Sequence, residues 1–139
     1  MRIIRTFRPD DTAAVVSLWQ VCELTRPWNN PELDIQRKMS VNDDLFLVVD
    51  DGGRIVGSIM GGYEGHRGWI NYLAVDPSLQ KQGLGRELMD AVESRLLDKG
   101  CPKINLQVRT GNDAVIAFYK AIGYTDDKCV SFGKRLIPD

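Results

Sequence analysis

The chain has 139 residues, 43% of them hydrophobic and 27% charged. That length suits one domain with one core, and the mixture excludes a disordered polar chain, a fibrous repeat and, with no run near ~18 apolar residues, a membrane-spanning helix. With 18 basic against 19 acidic residues the net charge is −1, so nothing global draws the chain to DNA or RNA.

The opening run Met1-Arg2-Ile3-Ile4-Arg5 has no apolar stretch of signal length, which predicts a cytoplasmic protein. Residues 3–7 predict a short strand. Asp10-Asp11-Thr12 supplies helix-start residues, and Ala14, Val15, Leu18, Trp19 and Cys22 follow at helical spacing. Arg26-Pro27-Trp28-Asn29-Asn30-Pro31 breaks regular structure and predicts a loop, with a second helix over 31–39 and Pro31 in its first turn. A strand over 45–49, the turn Asp50-Asp51-Gly52-Gly53 and a partner strand over 54–63 form a hairpin pattern. Gly61, Gly62, Gly65 and Gly68 read as a glycine-rich connection. Residues 69–75 form the clearest strand, ended by Asp76-Pro77-Ser78. Leu84, Leu88, Val92 and Leu96 then mark a helix that Gly100 closes. A strand over 103–108, a helix over 112–122 stopped by Gly123, a short extra strand near Tyr124 and a last strand over 129–136 complete the chain. This order predicts one mixed sheet with helices on its faces, in a single domain over residues 1–139.

Three cysteines, Cys22, Cys101 and Cys129, are odd in number and scattered, so neither a disulfide framework nor a zinc site is expected. Cys22 and Cys129 sit in apolar segments and are expected to be packed. His66 is the lone histidine, and no metal is expected. Asp43-Asp44 and Asp50-Asp51 read as solvated turns, without the spacing of a calcium loop.

The sharpest chemical signal is Gln80-Lys81-Gln82-Gly83-Leu84-Gly85-Arg86, between a buried strand and an amphipathic helix. Glycines at 83 and 85 let a ligand approach the main chain, and the first helical turn leaves N–H groups unpaired at the positive end of the helix dipole. Lys81 and Arg86 add charge. A phosphate or pyrophosphate suits such a turn; a plain strand-to-helix turn is the alternative. A dinucleotide fingerprint would need glycine where Leu88 stands, and a P-loop needs Gly-Lys-Ser/Thr where the chain has Gly85-Arg86-Glu87, so both fail. Asn112 and Tyr119 lie seven residues apart, on one face of the last helix. Asn112 read alone is an N-cap, and Tyr119 read alone is a core aromatic.

The strand, Asp76-Pro77 turn, Q-x-x-G-x-G, amphipathic helix and strand, followed by Asn112-Asp113-Ala114-Val115-Ile116-Ala117-Phe118-Tyr119-Lys120-Ala121-Ile122-Gly123-Tyr124, resemble the GNAT superfamily of acetyltransferases. The resemblance runs from Ile3 through Gly133 and is most specific between Leu73 and Tyr124. Arg26-Pro27-Trp28-Asn29 and Gly61-Gly62-Tyr63-Glu64-Gly65-His66-Arg67-Gly68 further liken the chain to the small bacterial acetyltransferases of the YpeA group.

The resemblance implies an α/β (α+β) fold whose mixed sheet has six to seven strands and about four flanking helices. It implies acetyl transfer from acetyl-CoA to a primary amine by direct attack in a ternary complex. It assigns the CoA pyrophosphate to the backbone of Gln80, Lys81, Gln82, Gly83, Leu84, Gly85 and Arg86. The pantetheine arm falls to the main chain of Leu73, Ala74 and Val75, beside a splayed neighbouring strand. Asn112 contacts the cofactor, and Tyr119 faces the sulfur as general acid. The N–H of Leu73 or Val75 is the oxyanion donor. Trp28, Asn29, Tyr63 and Glu64 fall on segments that wall the acceptor pocket, and Glu64 suits a cationic amine. Many relatives carry a carboxylate early on the central strand, where this chain has Trp69, Ile70, Asn71 and Tyr72. Glu64, His66 or a water chain to either therefore stands as base, and both side chains read equally as solvated loop residues. Small amines and peptide amines both remain open as acceptors. A homodimer, built by adding or swapping the last strand, is a further expectation. The alternative in another class is an acyl-CoA-binding module without catalysis.

Overall fold

The computed structural model describes residues 1–138. They divide into two compact units, residues 1–106 and residues from Gln107 onward, each described by itself.

The first unit is built on strands β1 (Arg2–Thr6), β2 (Phe46–Asp51), β3 (Arg54–Tyr63), β4 (Gly68–Val75) and β5 (Ile104–Leu106), in that spatial order. The first four pair antiparallel; β4 and β5 are parallel and joined through a helix. Gly52 (φ 62°) and Gly53 (φ 99°) both take left-handed backbone in the β2–β3 turn, the geometry that matches strand twist in a tight hairpin.

Helices α1 (Thr12–Val21) and α2 (Pro31–Val41) precede the hairpin, and α3 (Leu84–Asp98) connects β4 to β5. Pro31 opens α2, Asn30 caps it by accepting from the Leu33 N–H at 3.1 Å, and left-handed Asn42 ends it. Asp11 does not cap α1 with its side chain. Its carboxylate instead takes a two-pronged ion pair from Arg5, at 2.8 and 2.9 Å, and the Arg8 N–H at 2.8 Å. Arg5 also reaches Asp50 at 3.1 Å, so one guanidinium ties β1 to β2 and to the start of α1. These hydrogen bonds hold the Asp11 carboxyl below the usual carboxylate range.

Helices α1 and α2 cover one face of the sheet. Val15, Val16, Leu18, Trp19 and Ile35 pack there on Phe46, Val48, Met60 and Ala74. The α3 ridge Leu88, Val92 and Leu96 covers the other face, and three strand glycines let it approach. A Cβ at Gly57 would stand 3.2 Å from Leu88 Cδ1, one at Gly61 2.7 Å from Val92 Cγ2, and one at Gly68 3.2 Å from Leu96 Cδ1. Gly61, Gly62 and Gly68 thus lie within strands, and of the expected glycine-rich connection only Gly65 falls in the turn. Gly61 and Gly68 are set by helix packing rather than by loop geometry.

The second unit carries α4 (Asp113–Ala121), ended by left-handed Gly123 (φ 102°). The sheet has five strands among the described residues, fewer than the six or seven expected. Residues 129–136, read as the last strand, form none, and neither does the stretch near Tyr124. An extended segment becomes a strand only where a neighbour's main chain meets it, and Val130 and Phe132 remain 79% and 93% exposed. Cys129, expected to be packed, is exposed for the same reason. No helix among the described residues is long and apolar enough to cross a membrane.

Gly61→Ala drives a methyl into the Val92 contact and is expected to cost about 1–3 kcal/mol. Val92→Ala removes the methyl it strikes. The double variant should therefore lose less in denaturant unfolding than the two single losses added together; strict additivity would contradict this packing.

Candidate functional site

Strand β4 positions the central part of the site. It pairs with β5 only over Gly68–Ile70, against Ile104–Leu106. Beyond Ile70 it runs on to Val75 with no strand on that side among the described residues. Leu73, Ala74 and Val75, expected to offer main-chain hydrogen bonds, lie on this stretch. The register against β3 slips there: Met60 faces Asn71 and Ser58 faces Ala74, so Tyr72 and Leu73 together stand opposite Ile59 alone. This is a β-bulge, which bends the strand and re-aims its peptide groups. Tyr72 adopts φ 52°, a left-handed backbone that costs a non-glycine residue about 1–2 kcal/mol.

Four side chains hold the bulge. The Tyr72 ring stacks on buried Trp19 at 3.8 Å between centroids, with planes 8° apart. Its hydroxyl donates to Asp34 Oδ2 at 2.6 Å. The Trp19 indole N–H donates to Ser58 Oγ at 2.9 Å, and Ser58 donates to the Tyr72 carbonyl at 3.0 Å. None of Trp19, Asp34, Ser58 and the bulge at Tyr72 was read from the sequence as part of the site. Ser58 carries the one available signal, a lone hydroxyl in the apolar run Ile55-Val56-Gly57-Ser58-Ile59-Met60, since a buried hydroxyl needs a partner.

The turn after β4 begins with a short 3-10 stretch, Pro77–Leu79, capped by Asp76, which accepts from the Ser78 N–H at 2.9 Å. Gln80 folds back to donate to the Val75 carbonyl at 3.2 Å, so turn and strand are joined. Lys81 (φ 65°) and Gly83 (φ 85°) are both left-handed. Gln82 accepts from Arg2 at 3.2 Å. Gly83 is the N-cap of α3 and has no side chain with which to cap it. The N–H groups of Leu84, Gly85 and Arg86 therefore start α3 without an intrahelical partner. A Cβ at Gly83 would meet nothing within 4 Å, so an approaching group meets main chain in open space. Lys81 and Arg86 are exposed beside it. Bare N–H groups, a helix dipole and two cations fit a diphosphate.

At the other end of α3, the Tyr63 hydroxyl lies 3.2 and 3.3 Å from the Gly65 and Gly100 carbonyls. Glu64 Oε1 accepts from the His66 N–H at 2.6 Å and also from the Arg67 N–H. These two bonds, Arg67 first, hold its carboxyl below the usual range, so it stays ionised at neutral pH. Oε2 accepts no hydrogen bond among the described residues. His66 is exposed, its Nδ1 3.4 Å from Arg67. The strand from Gly68 to Leu73 spans roughly 16 Å at ~3.3 Å per residue, so this turn and the bulge do not touch directly. Trp28 is half exposed in the loop between α1 and α2, with Asn29 next to it, its N–H donating to the Arg26 carbonyl at 3.0 Å.

In the second unit, Asn112 occupies the N-cap position of α4, but its side chain makes no capping hydrogen bond and is exposed. Its carbonyl starts the helix instead, accepting from the Ile116 N–H at 3.1 Å. Tyr119 is buried between Phe118 and Tyr124, with ring centroids 5.1 and 5.7 Å away. Burial pushes its phenol up to about 12. The Tyr119 hydroxyl has no partner among the described residues, and no fully buried side-chain polar atom lacks one, so its tip reaches the surface.

Three comparisons bear on this arrangement. The model of the acetyltransferase (GNAT) family matches residues 13–124, which cross both units. An acetyltransferase of Pectobacterium atrosepticum is 52% identical over 136 residues, covering 98% of this chain and 96% of that protein. Among solved structures, Ard1 from Thermoplasma volcanium superposes with a TM-score of 0.76 at 28% identity, over 89% of this chain and 82% of that one. AAC(6')-Iy, solved with a bisubstrate analogue of CoA, superposes with a TM-score of 0.77 over 99% of each chain; at 16% identity that likeness is one of fold. A family match over most of the chain, and a relative about half identical along nearly its whole length, agree with the strand, turn and helix order. The chain belongs to the GNAT family of acetyltransferases.

Proposed function

We propose that this acetyltransferase takes its acetyl group from acetyl-CoA and passes it to a primary amine by direct attack in a ternary complex. The observation that carries this reading is the Gly83 turn: a left-handed N-cap without a side chain leaves the first N–H groups of α3 open. Gln80, Lys81, Gln82, Gly83, Leu84, Gly85 and Arg86 are the proposed diphosphate cradle. The main chain of Leu73, Ala74 and Val75 is proposed to hold the pantetheine arm, and the uncapped side chain of Asn112 to contact the cofactor. Bound acetyl-CoA supplies an activated acyl group with a thiolate leaving group.

The chain's own residues do the rest. An amine near pKa ~10.4 must lose its proton before it attacks. Glu64 is proposed to attract the cationic amine and to receive that proton through water, because direct contact is too far. Trp28, Asn29 and Tyr63 complete the acceptor side. The Leu73 N–H faces the carbonyl oxygen as negative charge builds there, an interaction that strengthens in the transition state. Tyr119 gives its proton to the departing sulfur. Cys22 and Cys101 are committed to the carbonyls of Val75 and Lys103, which suits transfer without a cysteine intermediate.

Thiol release from acetyl-CoA across a panel of small amines and peptides tests the reading. Turnover on any amine supports it, whereas CoA binding without turnover on any would favour an acyl-CoA-binding module. Tyr119→Phe is expected to lower kcat about 10²- to 10⁴-fold, the usual worth of a positioned acid, with CoA affinity nearly unchanged. Because its pKa is raised, the phenol keeps its proton as pH climbs toward about 12. Loss of that proton should therefore leave no descending limb in kcat between pH 7 and 10. Equal turnover in the variant would remove Tyr119 from this role, whereas a limb present in the wild type and abolished by the variant would keep the role and contradict the raised pKa. Glu64→Gln is expected to reduce kcat/KM for a cationic amine about tenfold while CoA binding is unchanged; an unaltered kcat/KM would take Glu64 out of the acceptor side.

A further inference from the structure

We infer that Ser58 is a positioning residue for the oxyanion donor: it locks the peptide between Tyr72 and Leu73 so that the Leu73 N–H points to where negative charge develops. The inference rests on the reading of Leu73 as that donor.

The direction of each hydrogen bond is fixed by chemistry. An indole N–H only donates, so Ser58 Oγ, 2.9 Å from Trp19 Nε1, must accept there. The serine proton is then left for the one other group in reach, the Tyr72 carbonyl at 3.0 Å. Ser58 is fully buried, as is Trp19. The peptide after Tyr72 is planar, and no cis bond occurs among the described residues, so the Leu73 N–H points opposite the Tyr72 carbonyl. A carbonyl held toward Ser58 therefore aims that N–H away from Ser58.

The lock works against a real tendency to move. Tyr72 is held at φ 52°, which a tyrosine leaves unless its surroundings over-determine it. Neither Tyr72 nor Leu73 has a register partner on β3. The Trp19 stack and the Asp34 hydrogen bond hold the Tyr72 side chain but not the rotation of the peptide behind it. Ser58 grips that peptide directly, through the Tyr72 carbonyl. An oxyanion donor turned out of line loses most of its effect, since removing one such donor costs about 10²- to 10³-fold in kcat.

The test uses the full chain and the variants Ser58→Ala and Ser58→Thr, the second keeping the hydroxyl. Ser58→Ala is expected to lower kcat at least about tenfold. The KM for acetyl-CoA and the calorimetric affinity for CoA should stay within about twofold, and Ser58→Thr should recover most of the lost kcat. In ¹⁵N-labelled protein without ligand, the Leu73 amide resonance should shift in Ser58→Ala and return toward its original place in Ser58→Thr. An unmoved Leu73 resonance would overturn the lock, whatever the enzyme transfers. A shifted resonance with unchanged kcat would overturn the catalytic use of the lock. Parallel loss of kcat and CoA affinity would reduce Ser58 to a structural residue. Failure of the wild-type chain to bind CoA would instead strike the proposed function, and the resonance would still decide the lock.

Discussion

A β-strand that loses its neighbour partway along has main-chain donors and acceptors that must find other partners. Strand β4 is in that position, paired with β5 through Ile70 and then continuing to Val75 with no strand on that side among the described residues. Side chains reach in to occupy some groups, as Gln80 and Cys22 do at the Val75 carbonyl. The first turn of α3, just beyond, adds N–H groups without an intrahelical partner, because Gly83 has nothing with which to cap it. On the proposed reading these groups are the means of recognition, since a linear, phosphorylated cosubstrate can be read by peptide groups along a strand and into a helix.

The scaffold that keeps those groups open is packed tightly elsewhere. Gly57, Gly61 and Gly68 bring the α3 ridge against the sheet, which fixes where its N-terminus stands. Opposite, Trp19 is stacked on Tyr72 and bonded to Ser58, so α1 controls the bulge from beneath. The strain at Tyr72 is local and is held by contacts spread over α1, α2 and β3.

Much of the fold was legible because its signals are local. Gly52-Gly53 makes the hairpin turn, Gly100 and Gly123 close α3 and α4, Pro31 opens α2, and the four-residue spacing of Leu84, Leu88, Val92 and Leu96 gives α3 within a residue of its ends. The features that escaped are tertiary. Gly61 and Gly68 look like loop residues in sequence, yet each is a strand residue whose missing side chain a helix fills. The run 129–136 has strand composition but no partner strand. The Tyr72–Leu73 bulge has no local mark, since a tyrosine enters left-handed backbone only when distant side chains force it. The turn at 80–86 reads as an anion site in sequence because two glycines stand at the start of an amphipathic helix; in the structure Gly83 is the N-cap and Gly85 lies in the first helical turn. The proposed acceptor side was harder, for Trp28 lies in the α1–α2 loop while Tyr63 ends β3 and Glu64 follows it in the next turn, and their chemistry depends on what they face.

Everything proposed here hangs on main-chain N–H groups of the Gly83 turn holding a diphosphate. Titrating ¹⁵N-labelled protein with CoA, and separately with pantetheine, which has no diphosphate, tests this most directly. The amide protons of Gly83, Leu84, Gly85 and Arg86 should move downfield together and saturate with CoA, and stay in place with pantetheine. CoA binding that left those four amides unmoved would contradict the proposal.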